Sequence, residues 1–376
     1  MENEIPKHLL VIRLSAMGDV AICVPVIAAL KRDNPTLKIT VLTRDFFRPF
    51  FREIEGIEFV SPDLKGRHRG LSGMFRLWKE LRKKEFTHVA DLHDVLRTKF
   101  LRRLLSLSGC RVEVIDKGRS EKRMLTRKFR KIMEQLPTSM QRYGETIARL
   151  GFSFSEPVPA VRKPLPVPSS IGRRSGTKQG KWIGVAPFAQ HKGKIYPTLL
   201  TDELIGLLVS RFERVFLFGG GPYERDFAEC MEVRHGERVI SVIGRVSLSE
   251  EMDIMSNLDA IVTMDSASMH IASLMGVPVV SVWGATHPYA GFYGFGQDPR
   301  NAVQLDLPCR PCSVYGNRRC LFKDYRCLQG IAPQTIFDRV YSVTDTPTPS
   351  DRNSWNPLDR LFSFTVKIFT TNVCWY

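Results

Sequence analysis

Short apolar runs alternate with longer amphipathic stretches along most of the chain. HLLVIRL (8–14) is a continuous apolar run suited to a buried parallel strand. SAMGDV then turns it into an apolar helix ending near Lys31 and Arg32. Residues 37–43, 57–60, 88–93 and 112–116 predict further strands. Between them lie a basic amphipathic helix over 75–86 and a helix from Val95 to Gly109. Strands and helices that alternate with short connections imply a doubly wound parallel sheet.

The texture changes near residue 155. The stretch EPVPAVRKPLPVPSSIGRRSGTKQGK is rich in proline, glycine, serine and lysine, so it predicts neither a helix nor a central strand. The alternation restarts at WIGVAP (182–187). LTDELIGLLVSRF reads as a helix with Thr201 as its N-cap, and RVFLFGGG and RVISVIG as strands. SLSE (247–250) has capping-box spacing before another helix. Val262 to Pro288 then reads as strand, acidic turn, helix and strand. The division that follows is an N-terminal α/β domain over 1–160, a linker over 161–181, a C-terminal α/β domain over 182–344, and a tail over 345–376.

Charge sharpens this picture. The net charge is +16, and residues 62–135 hold 21 Lys and Arg against 9 Asp and Glu. Such a block is either a solvated helix surface or a surface for phosphate, nucleic acid or an anionic membrane. Aromatic residues are not interleaved with it at stacking spacing, and no nucleic-acid module is recognisable, so no nucleic-acid partner is expected. The opening MENEIPKHLLVIRLS has two acids and no long apolar core, unlike a signal peptide. No run approaches the ~20 apolar residues of a membrane span. A cytoplasmic chain, peripheral at a membrane, is expected. Its eight cysteines then read as free thiols or metal ligands rather than disulfides.

Candidate chemistry gathers at predicted strand ends, where open parallel sheets bind ligands. Ser15, Met17, Gly18 and Asp19 follow the first strand. Asp19 is either a helix-capping carboxylate or a general base. Gln190, His191, Lys192 and Lys194 follow WIGVAP, and a lysine there can neutralise phosphate. Glu224 follows the glycine turn 219–221, which lacks dinucleotide-fingerprint spacing; it reads as a ribose acceptor or as an ordinary first-turn acid. Asp265, Ser266, Ala267 and His270 lie at a helix start, where backbone N–H groups accept an anion. Cys309, Cys312, Cys320 and Cys327 are spaced C-x2-C-x7-C-x6-C, which fits either a structural zinc site or free thiols. No cluster suggests a catalytic metal.

RLSAMGDV, the KxYP segment at Lys194 to Pro197, and MDSASMHIASLMGVPVVSVWGATHP together resemble glycosyltransferase family 9, the bacterial lipopolysaccharide heptosyltransferases. The resemblance covers roughly residues 8–340, and the CRPC…C…C stretch looks like one found in part of that family. It implies a GT-B architecture, with two Rossmann-like domains facing a cleft. It implies inverting, metal-independent transfer of a sugar, typically heptose from ADP-heptose, onto the Kdo–lipid A inner core. Asp19 would be the base and Lys194 would bind donor phosphate. Ser15, Met17, Gly18, Gln190, Glu224, Asp265, Ser266, Ala267 and His270 would complete the donor site. The partners would be the nucleotide sugar, a lipid-linked anionic saccharide and the anionic membrane surface, with the chain a monomer. The family has glycine where this chain has Ala267, and small hydroxyl residues where it has Phe188, Ala189 and Gln190. Other readings are a different nucleotide sugar or acceptor, or a basic nucleic-acid- or lipid-binding protein without catalysis.

Overall fold

The computed structural model describes residues 7–345. Residues 346–376, nearly all of the tail set apart above, lie outside the described residues.

Eleven strands are described: β1 (His8–Ile12), β2 (Lys38–Leu42), β3 (Ile57–Val60), β4 (His88–Asp91), β5 (Arg111–Val114), β6 (Trp182–Ala186), β7 (Arg214–Leu217), β8 (Val239–Ser241), β9 (Ala260–Met264), β10 (Val279–Trp283) and β11 (Ala302–Gln304). The helices are α1 (Met17–Asp33), α2 (Gly70–Arg82), α3 (Leu96–Leu107), α4 (Arg119–Thr126), α5 (Ser139–Arg149), α6 (Ser169–Ser175), α7 (Thr198–Arg211), α8 (Pro222–His235), α9 (Leu248–Met255), α10 (Ala267–Leu274), α11 (Arg326–Gln329) and α12 (Pro333–Asp345). A 3-10 segment, Asp45–Phe51, follows β2.

The strands form two separate parallel sheets, ordered β3-β2-β1-β4-β5 and β11-β10-β9-β6-β7-β8. β1, β6, β9 and β10 are buried at every position, as strands covered on both faces must be. The chain order reverses beside β1 in the first sheet and between β6 and β9 in the second. These are the points where flanking helices lie on opposite faces and leave a crevice at the strand ends. α1 follows β1, and α10 follows β9, so both helices start at a crevice.

Several ties join the two sheets' surroundings. Arg52, just past the 3-10 segment, pairs with Asp253 of α9 at 2.6 Å. The Leu136 and Ser139 N–H groups donate to the Tyr289 and Gly291 carbonyls, each at 2.9 Å. Lys131 donates to the carbonyls of Pro308 and Arg310 at 3.0 Å.

Three local expectations need correction. The proline-rich stretch does hold a helix, α6, because its last proline, Pro168, sits at the N-cap and leaves Ser169–Ser175 proline-free. Thr201 is not an N-cap. α7 starts earlier, at Thr198 after Pro197, and the Thr201 hydroxyl donates back to the Pro197 carbonyl at 3.0 Å. α4 and α5 were not anticipated, although Thr138 and Gln141 form a complete capping box ahead of α5. The box at Ser247 and Glu250 forms as its spacing predicts.

Candidate active site

Ten of the sequence-predicted residues line one cleft of about 590 Å³: Met17, Gly18, Asp19, Gln190, Lys194, Glu224, Asp265, Ser266, Ala267 and His270. They come from the carboxyl ends of both sheets. Ser15 is the exception. Its hydroxyl lies 3.4 Å from His93 Nε2, beyond the end of β4, and it does not line the cleft.

The first wall is the start of α1. No side chain caps this helix; Asp19, its third residue, accepts the Ala16 N–H at 3.3 Å through Oδ2. The same oxygen pairs with Arg13, whose guanidinium also donates to the Leu92 carbonyl and lies 5.7 Å from the Tyr143 ring. Arg13 is buried and Asp19 is partly open to the cleft. The carboxylate is therefore held from behind by one oxygen. Arg13 was part of the sequence motif, but its role as the partner of Asp19 depends on β4 and α5 and could not be read locally.

The opposite wall is the start of α10 with the loop after β6. Lys194 Nζ lies 3.0 Å from Asp265 Oδ2, and both side chains are largely buried. Asp265 precedes the N-cap, which is Ser266. The Ser266 hydroxyl is buried without a hydrogen-bond partner. The first N–H groups of α10 have no side-chain cap, so the helix presents unpaired donors to the cleft. Burial lowers the His270 pKa to about 4, with Lys194 acting in the same sense and Asp265 and Asp19 opposing it. His270 is therefore a neutral imidazole at pH 7, with one donor and one acceptor nitrogen.

The two walls touch. A Cβ placed on Gly18 would lie 2.8 Å from the His270 ring and 3.4 Å from the Ala267 backbone. Glycine at this position thus makes room for the other helix start. Beyond β7 of the second sheet, Glu224 accepts the Gly220 N–H at 2.6 Å, which holds its carboxylate against the glycine turn.

His191, singled out with the lysines of its loop, lines the cleft too, whereas sequence reasoning missed Tyr315, Phe292 and Glu251. Tyr315 belongs to the cysteine-rich stretch. Cys312 and Ser313 donate to the Ala285 carbonyl at 3.0 and 3.2 Å, and Gly316 packs directly on the Lys194 stem. The cysteine stretch therefore buttresses the lysine loop. Beside Phe292, Lys122 Nζ lies 4.4 Å from the ring centroid, and burial pushes its pKa down to about 8.

Cys309, Cys312, Cys320 and Cys327 do line one small cavity, and all are free thiols. Burial raises the Cys312 and Cys327 pKa values, the latter to about 11. Among the described residues, however, no three His, Cys, Asp or Glu side chains are arranged to hold a metal ion. The cluster as placed does not fit the expected zinc site. Among the described residues, no helix is long and apolar enough to cross a membrane.

Comparison with known proteins agrees with this geometry. The sequence model of glycosyltransferase family 9 (heptosyltransferase) matches residues 74–322. Lipooligosaccharide heptosyltransferase 2 of Haemophilus influenzae is 23% identical over 300 residues, covering 75% of this chain and 84% of its own. The crystal structure of a family 9 glycosyl transferase from Veillonella parvula superposes with a TM-score of 0.67 at 17% identity, covering 92% of this chain and 98% of that one. The E. coli heptosyltransferase WaaC with ADP gives a TM-score of 0.61 at 17% identity, over 89% and 99% of the two chains. These likenesses identify the fold as GT-B.

Proposed function

The chain belongs to glycosyltransferase family 9, the heptosyltransferase family, and on that premise we propose that it moves heptose from ADP-heptose onto a lipopolysaccharide inner core with inversion at the anomeric carbon. The observation that carries this reading is the meeting of two helix starts at one cleft. One bears a carboxylate, Asp19, and the other faces Lys194 with unpaired N–H groups. The H. influenzae relative is named for lipooligosaccharide, and the E. coli neighbour was solved with ADP; both support the choice of donor and acceptor.

The free oxygen of Asp19 takes the proton of the acceptor hydroxyl, while Arg13 fixes the other oxygen. The acceptor oxygen attacks the anomeric carbon from the face opposite the diphosphate. The bond to the leaving diphosphate breaks as the new glycosidic bond forms. Lys194 and the N–H groups at the start of α10 take the charge that develops on the leaving group. Positive charge at that point thus comes from the protein, and the scheme uses no metal. A carboxylate repels a diphosphate, so Asp265 serves to aim Lys194 and to accept a sugar hydroxyl. Glu224 accepts ribose hydroxyls. Neutral His270 hydrogen-bonds without adding charge.

The acceptor and the anionic leaflet would face the first sheet's helices. α2 exposes Leu71 and Phe75 on one side, with Lys79 and Arg82 beside them. Such a face suits peripheral attachment to the cytoplasmic side of a membrane.

The donor assignment is tested by thermal unfolding with nucleoside diphosphates. ADP should raise the melting temperature, and Lys194→Ala should weaken ADP binding about tenfold or more through loss of a charge-assisted contact. Absence of any shift with every nucleoside diphosphate contradicts the donor site.

A further inference from the structure

Tyr315 reaches the cleft from the cysteine stretch and has no place in that scheme. Its backbone is held on both sides. Before it, the Cys312 and Ser313 N–H groups donate to the Ala285 carbonyl. After it, Gly316, at φ +75°, packs on the Lys194 stem, and the Ser313 hydroxyl donates to the Asn317 side-chain oxygen at 3.0 Å. The ring so fixed is nonetheless 50% exposed and lines the cleft. A large ring held rigidly and left open in a concave site marks a place where a ligand's apolar surface can be covered.

Its neighbours say which ligand. The Phe292 ring lies 5.9 Å away between centroids, and Lys122 Nζ sits over that ring at 4.4 Å. Tyr315 is therefore the freer ring of the pair. It lies within electrostatic reach of Asp19, Arg119 and Arg13, which belong to the first sheet and its helices. The Tyr315 ring thus stands across the cleft from the carboxylate that takes the acceptor's proton.

Strand order separates this corner from the nucleotide. In the second sheet β10 and β11 lie on one side of β9, and β6, β7 and β8 on the other. Lys194 follows β6 and Glu224 follows β7, whereas Phe292 follows β10 and Tyr315 follows β11. With the diphosphate at α10 and Lys194 and the ribose at Glu224, the nucleoside takes the β7 side. The transferred sugar lies at Asp265, and the space between Tyr315 and Asp19 is left for the acceptor.

We infer that Tyr315 is an acceptor-binding residue, whose ring stacks on the apolar face of the sugar that presents its hydroxyl to Asp19. The inference rests on the glycosyl transfer proposed above and names the acceptor subsite of the same cleft. A pyranose carries hydroxyl groups at its edges and a patch of C–H groups on a face. That patch is apolar and slightly positive, which suits the negative face of an aromatic ring. Arg119, near the same corner, answers the acceptor's negative charge, whereas the ring reads the shape of the sugar face.

The test is steady-state transfer from ADP-heptose to a lipid-linked inner-core acceptor by the full chain, with ADP-induced stabilisation recorded on each preparation. Tyr315→Ala should raise the acceptor KM about tenfold while the ADP-heptose KM and the ADP-induced shift hold within about twofold. Tyr315→Leu keeps apolar bulk without a flat ring and should lose acceptor affinity in the same way. Tyr315→Phe keeps the ring and should restore the acceptor KM to within about twofold of the wild-type value. An unchanged acceptor KM in Tyr315→Ala and Tyr315→Leu overturns the inference, as does a failure of Tyr315→Phe to restore it. A matching loss of ADP stabilisation also overturns it, since Tyr315 would then be a prop for Lys194. All three results leave the transfer reaction standing. A wild-type chain that binds ADP but moves no sugar to this acceptor overturns the inference together with the proposed function.

Discussion

At the scale of single residues, the cleft holds its charges in fixed pairs and keeps one imidazole neutral. Asp19 is tied from behind by Arg13, and Lys194 is aimed by Asp265. Between them sits His270, kept neutral by burial. That neutrality has a consequence for stability. The folded pKa of about 4 lies below the unfolded value of 6.5, so the folded state resists protonation. The stability it contributes is complete above pH 6.5 and is lost as pH falls toward 4. Lowering the pH from 7 to 5 should cost roughly 2 kcal/mol through this residue. His270→Gln should therefore show a smaller fall in melting temperature over that interval than the wild-type chain. An identical fall in both proteins would show that His270 does not carry the effect. His93 and His287, also near 4, contribute the slope that remains.

At the scale of elements, α2 carries the clearest prediction outside the cleft. Leu71 and Phe75 stand one turn apart on its exposed side, while Gly73, Met74, Leu77 and Leu81 are buried. Replacing both Leu71 and Phe75 with Glu should abolish most binding to vesicles rich in anionic phospholipid, leave the melting temperature nearly unchanged, and leave ADP binding intact. Full retention of vesicle binding would remove α2 from the membrane surface.

The elements also show what the sequence made legible. The fully buried strands could be read because continuous apolar runs leave few alternatives. Asp19, Lys194, Glu224 and Asp265 could be found because strand ends are where parallel sheets bind ligands. α6 was missed because proline density was allowed to speak for residues that contain no proline. Thr201 was misread because Pro197 supplies an earlier start with fixed backbone geometry. Arg13 as a partner, Tyr315 and Glu251 gave no local signal. Tyr315 and Glu251 reach the cleft, and Arg13 reaches Asp19, only through contacts between distant segments, and a single acid beside a capping box looks like any other first-turn glutamate.

At the scale of the whole molecule, two sheets contribute different walls of one cleft. The first brings Asp19 and the basic helices. The second brings the lysine, the α10 helix start and the strand edge along which a nucleotide can lie. The halves are not merely adjacent, since Gly18 and His270 are packed against each other across the cleft. The cysteine stretch closes the arrangement by pressing Gly316 on Lys194. Glycosyl transfer with Asp19 as base is the claim on which the rest depends. The most direct measurement is sugar transfer from ADP-heptose to a lipid-linked inner-core acceptor by Asp19→Asn, with ADP-induced stabilisation recorded on the same preparation. The expected result is a transfer rate lower by about 10²–10⁴-fold with the ADP stabilisation preserved. Transfer near the wild-type rate by the folded, ADP-binding variant would contradict the role of Asp19.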